Sequence, residues 1–210
     1  MILLQKLVIE IINFFDQNVK NASERDVVNR LKTVSLRHEN FVSLKVKKIP
    51  KERALEKALS TISGSSLKNI RGCIYKAYSE IHWNIDSGLF YEKDSGIGQQ
   101  YLDGNMHAEF IGPENGAFKS DELRLGLFLL EPNIFYPDHK HEAPELYLNL
   151  TNGTEWRFEG MRWQEKDSGS IIYNEPFCVH AMKTNRLPFL SVWCWPNNST
   201  KKCIVVPQRP

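Results

Sequence analysis

The sequence is short of cysteine: Cys73, Cys178, Cys194 and Cys203 are its only four, and they form neither a CxxC pair nor a zinc-ribbon spacing. A disulfide-stapled scaffold and a thiolate zinc module are therefore excluded, and the four are expected to stay reduced and pack as small hydrophobes. Charge of one sign is also missing. Twenty-seven Lys and Arg face 25 Asp and Glu, a net +2, too little for a protein that binds nucleic acid by neutralising many phosphates. No uncharged apolar run is long. The greasiest stretch, MILLQKLVIEIINFF, is broken by Lys6 and Glu10 and falls short of the ~20 residues that span a bilayer. With no basic segment before it and no small-residue cleavage site after it, it does not read as a signal peptide, and the expectation is a cytoplasmic protein without a membrane partner. Internal repeats, low-complexity tracts and heptads are absent, which excludes solenoids and coiled coils.

What remains is the composition of an ordinary globular chain, 210 residues with 41% hydrophobic and 25% charged. That length suits one domain, or one domain with an extension, able to bury about 70% of its unfolded surface. The two halves differ in period. Leu3, Leu4, Leu7, Val8, Ile11, Ile12 and Phe15 recur at helical spacing. A second helix is expected from Ser23, with Asp26 completing a capping box and Val27, Val28, Leu31 and Val34 inside. A third follows Pro50, with Ala54, Leu55, Ala58, Leu59 and Ile62 on one stripe and Gly64 as its stop. Leu67, Ile70, Ile74, Tyr75 and Tyr78 suggest a fourth. Lys45 to Lys51 read as a solvated turn.

From Asp86 to about Asn105 neither period holds, and the segment reads as a long loop of the kind that borders a site. Beyond it come short β-branched and aromatic runs separated by turn signals: HAEFIG, ELRLGLFLLE, APELYLNL, TEWRFEG, SIIYN, FCVHAM and FLSVWCW. These predict a β-sandwich or barrel. The expected organisation is a helical segment with its loop, residues 1–104, packed on a β-barrel, residues 105–210.

Chemistry concentrates in Tyr136-Pro-Asp-His139-Lys-His141-Glu-Ala-Pro-Glu145-Leu-Tyr147. Residues two or four apart on one extended strand share a face, so His139, His141, Glu145 and Tyr147 are expected together. Leu146, Leu148 and Leu150 then form an apolar opposite face that needs a cover. Burying imidazoles beside a carboxylate is costly unless they share hydrogen bonds or a cation, and this donor set suits an open site for Zn, Fe, Mn, Co or Ni. His180, about forty residues on, offers a further ligand from a neighbouring strand. His38, His82 and His107 have no partner at ligand spacing; the first two read as surface or packing residues, and His107 is set slightly apart because it opens the first barrel strand.

HxHxxxE followed by a strand with one histidine resembles the cupin superfamily, small jelly-roll barrels that hold one metal. Within it the chain is similar to the cupin-type dimethylsulfoniopropionate (DMSP) lyases. Those carry HxHxxxExY with a tyrosine three residues before the first histidine, then HAM, a proline and a tryptophan strand, here Tyr136, His139 to Tyr147, His180 to Met182, Pro188, and Trp193 to Trp195. Two departures stand out. Phe177-Cys178-Val179 replaces the glycine that usually precedes the second-motif histidine, and the usual asparagine after it is displaced to Asn185.

The resemblance implies a carbon–sulfur lyase acting on a zwitterionic sulfonium carboxylate, with one divalent transition metal per chain, as monomer or homodimer. It implies His141, Glu145 and His180 as ligands, with His139 either a fourth ligand or a support, and Tyr147 as base. Tyr136 would either contact substrate or steady that base, and Trp193 and Trp195 would form an aromatic wall for the cation. Another metal-dependent cupin enzyme, a dioxygenase or isomerase of a small carboxylate, would use the same ligands, and a non-enzymatic ligand-binding cupin is the third class.

Overall fold

A computed structural model of the chain describes residues 2–44, 48–78 and 80–207. Four helices come first: α1 (Leu3–Asn18), α2 (Ala22–Thr33), α3 (Glu52–Thr61) and α4 (Lys68–Ala77). A fifth, α5 (Gln99–Gly104), interrupts the segment expected to be all loop. The α2 cap falls two residues before the expected one. Asn21 accepts from the Glu24 amide at 2.9 Å while the Glu24 carboxylate accepts from the Lys20 amide at 2.7 Å, because Asn21 is the residue whose extended backbone directs its side chain at the free amides. On α4 the buried stripe is Ile70, Cys73, Ile74 and Ala77, a clean helical period that leaves Tyr75 exposed. Of the basic run, residues 45–47 lie outside the described residues. Lys51 is tied down rather than solvated, pairing with Glu131 at 2.9 Å.

The strands are β1 (Trp83–Asn84), β2 (Asn105–Gly112), β3 (Phe118–Lys119), β4 (Arg124–Leu130), β5 (Phe135–Lys140), β6 (Glu145–Asn149), β7 (Thr154–Phe158), β8 (Gln164–Lys166), β9 (Ile171–Asn174), β10 (His180–Thr184), β11 (Phe189–Trp195) and β12 (Ile204–Val205). They form two facing sheets. One runs β1-β2-β4-β11-β6-β9 with β3 beside β2, the other β12-β5-β10-β7-β8, and every pairing is antiparallel except β2 with β3. The chain is thus helices followed by a cupin-like β-sandwich. Among the described residues no helix is long and apolar enough to cross a membrane.

Two cores result from the strand period of two. Leu146, Leu148 and Leu150 join Leu190, Val192 and Cys194 on the outer face of the larger sheet, packed in one cluster with the stripes of α1 to α4. The helices therefore cover the leucine face, each buried leucine contributing ~1.5 to 3 kcal/mol. The inner cluster, between the sheets, is largely aromatic: Tyr136, Tyr147, Trp156, Phe189, Trp193 and Trp195. Gly126 on β4 keeps the larger sheet closed. A Cβ there would stand 1.8 Å from the Ala108 carbonyl oxygen, beside the β2 irregularity between Glu109 and Ile111.

Candidate metal centre

His139, His141, Glu145 and Tyr147 do not share one strand. His139 is on β5 of the smaller sheet, Glu145 and Tyr147 on β6 of the larger, and His141 sits in the crossing between them. The Ala143-Pro144 step in that crossing cannot continue a ladder, so the chain changes sheets while its inward side chains keep converging on the space between. His180 begins β10, directly opposite His139 in the antiparallel register. The turn before it is tied to the crossing by the Phe177 amide, which donates to the His141 carbonyl at 2.8 Å. Phe177 takes a φ of +61°, the left-handed conformation for which glycine is ordinarily used.

Each imidazole is oriented in the same way. Nδ1 of His139 donates to the Pro137 carbonyl (2.8 Å), that of His141 to Ala143 (2.7 Å) and that of His180 to Cys178 (2.9 Å). A carbonyl only accepts, so each Nδ1 carries a proton and Nε2 is the nitrogen left to serve as a ligand. The three residues are fully buried, and their ligating nitrogens lie within 4.8 Å of one another. His180 Nε2 has no hydrogen-bond partner.

Glu145 completes the group. Its Oε2 lies 3.2 Å from His141 Nε2 and 3.4 Å from His180 Nε2, while Trp195 Nε1 donates to Oε1 at 2.8 Å and Asn174 Nδ2 to Oε2 at 3.2 Å. A carboxylate oxygen at these distances from two imidazole nitrogens calls for positive charge among them, a proton on an imidazole or a metal ion. The residues therefore fit a divalent metal with nitrogen and oxygen donors. Burial pushes the Glu145 carboxyl up, but the facing His141 and His180 outweigh it and hold the group below the ordinary carboxylate range. Burial, then His180 and His141, keep His139 well below the usual imidazole value.

A cavity of about 50 Å³ opens beside this group, lined by His139, His141, Glu145, Tyr136, Tyr147, Trp193 and Trp195 among others. Every residue singled out in the sequence except His180 lines it, and His180 lies immediately behind, its ring 4.1 Å from that of His139. Tyr147 is buried edge-on against Trp156, and burial followed by the Glu145 charge pushes its phenol well up. Tyr136 stacks on His139 with centroids 4.1 Å apart and planes 12° apart. Trp193 and Trp195 meet at 5.6 Å and 79°, and Trp195 has a second attachment beyond the wall, the bond to Glu145.

Sequence reasoning missed half of the lining. Asp86, Phe90, Tyr91 and Tyr101 come from the segment that it flagged only as a site-bordering loop, while His107, Phe128 and Cys203 come from elsewhere. Two tyrosines in a Gly- and Ser-rich loop were the available signal. All four cysteines are free, and Cys178 is only half-buried.

Fold and site together define a class, a cupin-like β-sandwich with a buried histidine triad against its inner face. Within it the chain belongs to the DMSP lyase family, whose sequence model matches residues 19–191. The DMSP lyase DddQ of Ruegeria pomeroyi is 29% identical over 101 residues, covering 48% of this chain and 50% of that protein. A putative DMSP lyase, DddL, of Cereibacter sphaeroides is 30% identical over 96 residues, covering 42% and 37%. The aligned stretches thus span half or less of these curated relatives. The crystal structure of the R. pomeroyi DddQ superposes with a TM-score of 0.72 over 99% of this chain and 98% of that one, at 20% identity, so the two share a fold.

Proposed function

We propose that the protein is a metal-dependent lyase that cleaves DMSP to dimethyl sulfide and acrylate by β-elimination. The observation that carries this reading is the convergence of three Nδ1-anchored imidazoles and Glu145 beside a buried tyrosine, in a cavity walled by tryptophans. His141, Glu145 and His180 are the proposed ligands, and His139, equally anchored, a fourth. One divalent ion of Zn, Fe, Mn, Co or Ni, when bound, supplies a Lewis-acid charge that polarises a substrate carboxylate and offsets the forces raising the Tyr147 phenol.

Tyr147 as phenolate takes the α-proton, the electron pair becomes the C=C bond, and the sulfonium leaves as a neutral thioether. Tyr136 is fixed by its stack on His139 and by a hydrogen bond to the Tyr91 hydroxyl, so it contacts substrate or steadies the base from a set position. The rings of Trp193 and Trp195 face a sulfonium without stripping its charge by ion pairing. Trp195 also holds Glu145 in place.

The test is headspace detection of dimethyl sulfide from purified, metal-analysed protein given DMSP, without oxygen. Evolution of the sulfide with about one metal per chain, both lost in His180→Ala, supports the reading. A metallated protein that releases no sulfide refutes the activity, and a fully metallated His180→Ala refutes the site.

A further inference from the structure

The two oxygens of Glu145 have different neighbours. Its strand, β6, lies between β9 and β11 in the larger sheet. Asn174 on β9 stands directly opposite Glu145, and the register that sets Cys194 opposite Leu146 brings Trp195 of β11 alongside it. Trp195 Nε1 donates to Oε1 at 2.8 Å, and Asn174 Nδ2 donates to Oε2 at 3.2 Å. Oε2 is also the oxygen that faces the Nε2 atoms of His141 and His180. The carboxylate is thus held from both flanking strands, with Oε1 engaged by the indole and Oε2 turned to the imidazoles.

Packing alone does not account for the two donors. Asn174 is fully buried, and among the described residues its Oδ1 has no hydrogen-bond partner. An unpaired amide oxygen in the core costs stability, and an apolar side chain of similar size would avoid that cost. What the amide supplies at this position is the N–H to Glu145. Trp193 and Trp195 share a face of β11 but spend their indole N–H groups differently. That of Trp193 goes to the Leu127 carbonyl of the neighbouring strand at 3.2 Å. That of Trp195 goes to Glu145, while its ring lies against His141 with centroids 4.7 Å apart.

From this arrangement we infer that Asn174 and Trp195 are positioning residues that hold Glu145 to a single coordinating oxygen, and that they thereby make the centre discriminate against oxygen-preferring ions such as Mn²⁺. The inference rests on the proposed metal site. Groups that orient a metal ligand contribute to affinity because a ligand free to turn must be ordered when the ion binds. They also set the donor set. With one oxygen from Glu145 the histidines dominate, and nitrogen donors favour the later ions from Fe²⁺ to Zn²⁺, whereas oxygen-rich sites suit Mn²⁺ and Mg²⁺. A Glu145 released from either donor can turn and offer both oxygens, which relaxes that preference.

The test measures Co²⁺ and Mn²⁺ affinities by chelator competition, and the visible spectrum of the Co²⁺ protein, in wild type, Trp195→Phe and Asn174→Leu. Each variant removes an N–H and keeps a side chain of similar bulk. In both, Co²⁺ binding is expected to weaken ~10- to 100-fold, with Mn²⁺ weakening less, so that the Co²⁺ preference shrinks. The Co²⁺ visible bands should lose intensity as a second carboxylate oxygen raises the coordination number. Trp195→Phe keeps a ring against His141 and decides the matter if Asn174→Leu does not fold. Wild-type affinities and spectra in the folded variants overturn the inference. So does an equal loss for both ions with an unchanged spectrum, which would mark the two residues as supports of the fold. A wild type that binds neither ion overturns the metal site itself.

Discussion

The two faces of strand β6 live under different rules. Leu146 and Leu148 point out to the helices, in a cluster whose buried members from Leu4 to Cys194 are mostly aliphatic. Glu145 and Tyr147 point inward, among imidazoles, phenols and indoles. The same alternation runs along β11, with Leu190, Val192 and Cys194 outside and Phe189, Trp193 and Trp195 inside. The outer face stabilises the sheet by area removed from water, which is non-directional. The inner face spends that stability on buried polar groups that need particular partners. The helices are thus what lets the inner face be polar.

Removing the cover is the harshest way to break this division. Deletion of residues 1–82 exposes the leucine face of the larger sheet, and the remainder is expected to aggregate on expression. Soluble yield and sedimentation check this. A monodisperse, active remnant would mean that the sandwich stands alone.

The outer face was also the more legible of the two in the sequence. Its period is repetitive, so the stripes of α1 and α3 and the leucines at 146, 148 and 150 could be read from spacing alone. Misses there were local, such as the cap at Asn21 in place of Ser23. The inner face was legible in its residue types but not in its geometry. His139 to Tyr147 share parity, yet they meet because the chain changes sheets at the Ala143-Pro144 step, not because they lie on one strand. Asp86, Tyr91 and Tyr101 were illegible because contacts distant in sequence place them there. Tyr91 bridges to Cys203, and Asp86 is held by Asn105 at 2.8 Å.

A smaller perturbation separates chemistry from architecture on the inner face. Tyr147→Phe removes one hydroxyl while the ring keeps its place against Trp156, so fold and metal content should persist. If Tyr147 is the base, kcat should fall by ~10² to 10⁴, with little change in KM. Near-wild-type kcat in a metallated variant would move the base elsewhere and make Tyr147 one more packing residue. That result would narrow the difference between the two faces to the metal alone.

The mildest test uses pH, to which the aliphatic outer face is indifferent. His107 is 7% exposed, with Nδ1 unpartnered and its ring edge-on to Phe90 at 5.3 Å. Burial, aided by the Arg124 charge, lowers its pKa from 6.5 to about 4. Above 6.5 the ring is neutral in native and unfolded chains alike and contributes no pH dependence. As pH falls below 6.5 the unfolded chain binds a proton that the native one refuses, so stability declines. Near 4 the native ring takes the proton as well and the decline ends. The whole window is worth about 3 kcal/mol at 1.36 kcal/mol per unit. His107→Phe removes the titration while keeping an aromatic ring against Phe90. Urea unfolding of metal-free protein should therefore show variant and wild type differing little more at pH 7.5 than at pH 7, with the variant gaining steadily between pH 6 and 4.5. Metal-free samples avoid linkage from pH-dependent metal binding, and the difference between the proteins cancels what Glu145 and His139 contribute to both. A constant offset across that range would mean that His107 is not held neutral by the inner face, and that acid sensitivity there belongs to the metal-binding group.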